Sequence, residues 1–209
     1  MRHRPSILLQ VSLSTLFFVG LAVAADNPDT GTNILSPDDT IVAVKQTTRG
    51  APNHLAATGD FGGTSGSDEQ VSNAIDGDLS NKYFNKALSA SGSPGIDTGF
   101  VITPRHGATI ITGIQLATAN DQPDRDPLTI SIEGSNDPDA DKATGKGFTL
   151  IYKGPSGLST DPGRNTWGQA VAFTNSDSYK SYRVLITETR ANADATQFSE
   201  VRLLGVTAN

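Results

Sequence analysis

The chain has 209 residues, no cysteine and a formal charge of −6. This excludes thiol catalysis and cysteine-type zinc sites. It also makes nucleic acid and anionic membrane surfaces poor partners.

The chain opens with Arg2 and Arg4, followed by the apolar run ILLQVSLSTLFFVGLAVA, which ends in Ala22-Val23-Ala24. A charged start, an apolar middle and a small-x-small end predict a signal peptide over residues 1–24, cleaved after Ala24. The alternative is retention as an anchor, because the run is just long enough to cross a bilayer. Cleavage removes both arginines and takes the charge from −6 to −8. The mature chain is then expected to be secreted, periplasmic or extracellular, with no membrane span. Exported domains usually permit disulfides. Without them, stability must come from the core or from a metal. Residues 25–36 read as a flexible leader and 37–209 as one domain, a size that buries a substantial core.

Along that domain, short β-rich runs alternate with turn residues. They are TIVAVK (40–45), IDTGFVI (96–102), TIITGIQLATA (109–119), PLTISIEG (127–134), TLIYKG (149–154), WGQAVAF (167–173), SYRVLITE (181–188) and EVRLLGV (200–206). In LTISIEG, Leu128, Ile130 and Ile132 share one face, while Thr129, Ser131 and Glu133 share the other. Period two predicts one buried and one wet face. Eight such runs with almost no helical periodicity predict an all-β, antiparallel sandwich or jelly roll. The one helical candidate is DEQVSNAI (68–75), with Ser67 or Asp68 as its cap and Gly77 as its end.

Immediately after it, NAIDGDLSN (73–81) crowds Asp76, Asp78 and Asn81 around Gly77. Calcium takes six to eight hard oxygens, a mixture of carboxylates, amides and backbone carbonyls. A glycine turn can gather them. Uncompensated, two nearby carboxylates repel. An EF-hand does not fit. With Asp76 as position one, the sixth residue is Asn81 rather than glycine and the twelfth is Ala87 rather than glutamate. The competing reading is a polar turn whose aspartates cap backbone amides. The loop at 135–147 carries Asp137, Asp139 and Asp141, and it also fails the EF-hand pattern, reading as a solvated tip.

The stretch EQVSNAIDGDLSNKYFN (69–85) resembles the first loop of discoidin-type domains. These comprise the coagulation factor V/VIII C-type modules and the related family 32 carbohydrate-binding modules, which share the galactose-binding-like fold. Three further segments match in order: LTISIEGSND (128–137), FTNSDSYKSYRVLIT (173–187) and TQFSEVRLLG (196–205). The resemblance covers roughly residues 35 to 206. It implies an eight-stranded antiparallel jelly-roll β-sandwich with a structural Ca2+ under that loop. Carried over, the side chains of Asp76 and Asp78 and the backbone carbonyls of Asn73, Asn81 and Ser199 would be ligands, with a carboxylate from Glu200. The chain departs from the family pattern at Asn81, where threonine or serine is usual, and at Tyr83, near the usual tryptophan. One ion joining Asp76 to Glu200 would staple distant parts of the chain. Binding only the folded state adds about 2.7 kcal/mol at a hundredfold excess over Kd.

Sugar recognition needs an aromatic face and planar polar side chains. The candidates are Trp167 with Arg164 and Asn165 beside it, and Phe61 in the Gly-rich stretch GDFGGTSGS (59–67). Tyr83 and Phe84 also count as exposed-aromatic candidates, whereas Phe173, Tyr182 and Phe198 read as core. Arg125 either pairs with Asp124 or Asp126 in a local turn or faces a ligand. His54 and His106 lie in no catalytic motif, and no phosphate loop precedes a helix. The chain therefore reads as a non-catalytic module. Its expected partner, by resemblance, is a cell-surface or extracellular glycan. The alternative is a protein partner, in an adhesion or assembly module without a sugar site.

Overall fold

The computed structural model describes residues 31–48, 51–55, 69–85, 96, 98–142, 144–191 and 193–208. The predicted signal peptide, the Gly-rich stretch and the candidate caps Ser67 and Asp68 lie outside the described residues. Among the described residues, no helix is long and apolar enough to cross a membrane.

Twelve strands are formed among the described residues: β1 (Thr32–Asn33), β2 (Thr40–Thr48), β3 (Ala51–Leu55), β4 (Tyr83–Asn85), β5 (Thr98–Thr103), β6 (Thr109–Ala117), β7 (Pro127–Ser135), β8 (Thr149–Pro155), β9 (Val171–Ala172), β10 (Ser181–Thr189), β11 (Thr196–Phe198) and β12 (Glu200–Thr207). One sheet runs β3-β2-β5-β10-β7-β8 and the other β1-β12-β6-β9, with β11-β4 as a short extra pair. Neighbouring strands are antiparallel throughout. The all-β antiparallel sandwich is thus present. The strand count exceeds the eight read from the sequence because β1, β3, β4 and β11 lie outside the predicted runs, and three of these four are only two or three residues long.

Alternation produces the core. Ile130 and Ile132 of β7 stand opposite Ile186 and Val184 of β10, and Val201 and Leu203 of β12 face them from the second sheet. Tyr83, Phe100 and Phe198 pack together beside these residues, with Tyr83 edge-on to Phe198 at 5.3 Å. Tyr83 and Phe84 are therefore buried rather than exposed. The Tyr83 hydroxyl donates to the Gly99 carbonyl and accepts from Asn85, and burial pushes its pKa up. Period two fails in the middle of the larger sheet, where β5 is buried on both faces. Val101 joins Val44 and Leu185 in a second small cluster, which Phe148 covers from the loop before β8.

Three other expectations differ. Part of the expected leader joins the fold, since Thr32 and Asn33 pair with Gly205 and Leu204 and Ile34 is buried. The run 167–173 is a strand only at its end, because Gln169 N donates to the Gly157 carbonyl instead of continuing along β6. The helical candidate is a short 3-10 turn, Val71–Ile75. It follows Gln70, which makes no side-chain cap.

One network fixes the loops at the end of the sandwich where β6 and β12 meet as Ala117 and Glu200. Asp126 is fully buried. Its carboxylate accepts from Arg164 Nη1 and Nη2 at 2.8 and 2.7 Å and from Arg190 Nη2 at 3.2 Å. The same Arg190 nitrogen donates to the Leu158 carbonyl, and Arg190 N donates to the Asp126 carbonyl. Replacing Asp126 by alanine leaves two guanidinium groups facing each other in a half-buried site. Breaking a buried pair in this way costs about 3 kcal/mol or more. Urea denaturation of Asp126→Ala is expected to show that loss; an unchanged midpoint contradicts the assignment.

Candidate functional site

The acidic turn is held by its neighbours on both sides. Val71, Ala74 and Ile75 bury in the core and anchor the 3-10 turn. Gly77 then adopts a φ of 86°, a left-handed conformation that side chains disfavour, and the chain reverses. The reversal aims Gly77 N at Glu200 Oε1, 2.7 Å away and 123 residues later in the chain. Asp76 Oδ1 accepts from Asp78 N at 2.8 Å, and Asp76 Oδ2 accepts from Asn81 Nδ2 at 2.7 Å.

Glu200 is 5% exposed and its carboxyl touches that of Asp76. Burial, then the hydrogen bond and negative charge of Asp76, push the Glu200 pKa up to about 8, against the opposing effect of the Gly77 and Asp78 amides. Two carboxyl groups have thus been brought together, and among the described residues neither forms a salt bridge with a cationic side chain. Asn81 Oδ1 is buried with no hydrogen-bond partner, a costly condition for an amide oxygen. The donor set of two carboxylates and an orphaned amide oxygen fits a hard divalent cation.

The side chains of the other sequence-derived ligand residues are engaged by the protein itself. Asp78 is exposed, and its Oδ1 accepts from Ser80 N and Oγ, bonds that lower its pKa. It acts as the cap that the alternative reading of the turn supplies. Asn73 is buried and donates through Nδ2 to the Lys82 carbonyl. Ser199 is buried beside β6, with its hydroxyl on the Thr118 carbonyl. Among the described residues, no three His, Cys, Asp or Glu side chains form a metal-holding group. Asp137 and Asp141 cap amides of their own loop, as expected of a solvated tip.

Trp167 connects this turn to a second feature. It is half-buried, bridged to Ala117 at the end of β6. On one side it borders a cleft of about 230 Å³ shared with Gly77, Glu200 and Arg202. On the other it borders a cleft of about 250 Å³ with Ser159, Thr160, Pro162 and Gln169. The Arg202 guanidinium lies 3.9 Å from the centre of the Trp167 ring and so occupies the indole face on the Glu200 side. The other cleft combines an aromatic wall with hydroxyls and an amide.

The remaining candidate residues are placed differently. The Arg164 guanidinium is engaged by Asp126, by Asp161 at 2.6 Å and by the Asp121 carbonyl, so it braces the loop that carries Trp167. Those bonds, Asp126 first, raise its pKa, and the Arg164 bond holds the Asp161 carboxyl below its usual range. Asn165 has a φ of 53° and buries Oδ1 without a partner. Arg125 pairs with Asp194 rather than Asp124 or Asp126, and stacks over Phe84 at 5.2 Å. Phe61 lies outside the described residues. Sequence reasoning missed Arg202 and Gln169. Arg202 was within reach of strand periodicity, because it shares a face of β12 with Glu200.

The backbone arrangement is that of known binding modules. It superposes on the family 32 carbohydrate-binding module of NanJ from C. perfringens, solved with galactose, with a TM-score of 0.53 and 13% identity over 82% of this chain and 97% of that one. It matches a second Clostridium perfringens module, solved with GalNAc-β-1,3-galactose, at 0.53 and 12% over 80% and 95%. A fucolectin from striped bass serum (Morone saxatilis) matches at 0.52 and 14% over 83% and 48%. No protein-family model matches the chain, and no curated protein matches it. The fold is the galactose-binding-like β-sandwich that these sugar-binding proteins share.

The Glu200 environment sets a pH dependence. Its carboxyl titrates near 4.5 when unfolded and near 8 when folded, so the folded state holds the extra proton between those values. In chelator-treated protein, stability is therefore greatest below about pH 4.5, as far as this group is concerned, and falls as pH rises through 8. Thermal melts between pH 5 and 8 should show that decline, and Glu200→Gln should flatten it. A melting temperature that rises over this range, equally in both proteins, contradicts it.

Proposed function

We propose that this protein is a secreted, non-catalytic glycan-binding module in which a structural calcium ion joins the acidic turn to β12. The export reading is supported by the pattern of residues 1–24. The calcium reading is supported by the contact of Asp76 with Glu200 and by the orphaned oxygen of Asn81 beside them. Asp76, Asn81 and Glu200 would hold the ion, with backbone carbonyls completing its shell. The ion would neutralise the carboxylate pair.

The observation that carries the glycan reading is Trp167, set between two clefts and braced through Arg164 and Asp126. The carbon-bound hydrogens of a sugar ring carry partial positive charge and complement the negative face of an indole. Ser159, Thr160 and Gln169 supply hydroxyl and amide groups at the rim of the same cleft. A cleft of this volume lies at the small end of ligand sites, which suits one sugar unit. Because Trp167 and Glu200 border one cavity, calcium would keep the wall of the sugar site in place without touching the sugar.

Two measurements test this reading. Addition of calcium to chelated protein should raise the melting temperature by several degrees, and Asp76→Ala or Glu200→Gln should abolish the rise. Equal melting with calcium and with chelator removes the metal. On a glycan array, bound signal should drop at least tenfold in Trp167→Ala with its melting temperature kept. Undiminished binding removes this site.

A further inference from the structure

A second cavity, of about 280 Å³, lies at the opposite end of the sandwich. It sits where β5 ends at Thr103, β7 ends at Ser135 and β10 begins at Ser181. At this end Thr109, which opens β6, bonds to Tyr182 and bridges to Tyr179. Trp167 and Glu200 adjoin Ala117, at the other end of β6.

Both walls of the cavity are tied down. Ser135 Oγ donates to the Gly147 carbonyl at 2.7 Å and accepts from Asp137 N at 3.1 Å. Asn136 Oδ1 accepts from Lys180 N at 3.0 Å, and its Nδ2 donates to the Ser178 carbonyl at 2.8 Å. Within this frame six side chains offer distinct chemistry. Lys142 and Lys180 line the cavity, and among the described residues neither is paired with a carboxylate. Asp137 lines it too, and binds Asp139 N through Oδ1. Thr103 Oγ1 and Ser181 Oγ are 2.8 Å apart. Whichever hydroxyl donates in that bond, the proton of the other is left for a ligand. The Phe148 ring forms an apolar wall, with Arg183 at 5.8 Å from its centre.

This set discriminates among ligands. A neutral sugar leaves the two ammonium groups without a counter-charge. A bare inorganic anion meets Asp137 and gains nothing from the ring. A sugar ring bearing a carboxylate uses all of them. Its carboxylate faces the lysines, its hydroxyls meet Asp137 and the Thr103–Ser181 pair, and its carbon-bound hydrogens lie against Phe148. We propose that this cavity binds a uronic acid unit, as found in acidic polysaccharides. The site is independent of the Trp167 cleft, and its attraction for the carboxylate is screened by salt. With ligands at both ends, one domain would hold two polysaccharide segments and gain in avidity.

The test is an NMR amide-shift titration of Trp167→Ala protein with sodium galacturonate. That substitution disables the first cleft, so shifts at Phe148, Lys180 and Ser181 report the second cavity alone. Saturable shifts are expected there, with apparent affinity at least tenfold weaker in Lys142→Ala/Lys180→Ala and weaker again in added salt. Galactose and sodium acetate at the same concentrations should leave these amides unmoved. Absence of shifts with galacturonate, or equal shifts with galactose or acetate, overturns the proposal without reference to the lysine variant. The same shifts persisting in the double lysine variant overturn it as well.

Discussion

The loops at one end of the sandwich depend on one buried carboxylate. Asp126 lies between Arg164 and Arg190, and through them it joins three loops that are distant in the chain. A fully buried charge is tolerated only when paired and hydrogen-bonded. Its two-pronged bond with Arg164 provides this, as does the nearby contact with Arg190. The loop that Arg164 belongs to leads directly into Trp167. The indole lines two clefts. Arg164 is thus spent on holding its loop, although its chemistry invites a direct role in binding.

The acidic turn complements this network. Where Asp126 is compensated by protein cations, Asp76 and Glu200 meet with only backbone amides and the Asn81 amide for company. The raised pKa of Glu200 is the electrostatic expression of that arrangement. A proton or a metal ion can relieve it, and the orphaned Asn81 oxygen favours the metal. In a cysteine-free chain, the proposed ion would link the middle of the chain to its last long strand, as a disulfide does elsewhere.

The two ends of the sandwich differ in character. One carries the aromatic cleft and the carboxylate pair, and the other carries lysines around a hydroxyl floor. Between them runs a core of aliphatic and aromatic side chains. Such a scaffold lets binding chemistry vary at its loops while the sheets stay the same. The three similar structures share this type of sandwich with only 12 to 14% identity to this chain, and two of them were solved with sugars.

Strand identity was legible in the chain because period-two alternation is a local property. The runs at 40–45, 109–119, 127–134, 149–154, 181–188 and 200–206 all became strands close to those bounds. The acidic turn was legible too, since Gly77 and its flanking aspartates are contiguous. Pairings across the chain were not. Nothing local says that Arg125 reaches Asp194 instead of Asp126, or that Asp126 draws Arg164 and Arg190 to itself. Tyr83 and Phe84 looked like surface aromatics after a polar turn, yet the short β4-β11 pair carries them inward. The sequence determined which segments are strands and which residues bear charge. Tertiary structure decided which charges meet, because burial and long-range contact depend on how the sheets stack and where their loops converge.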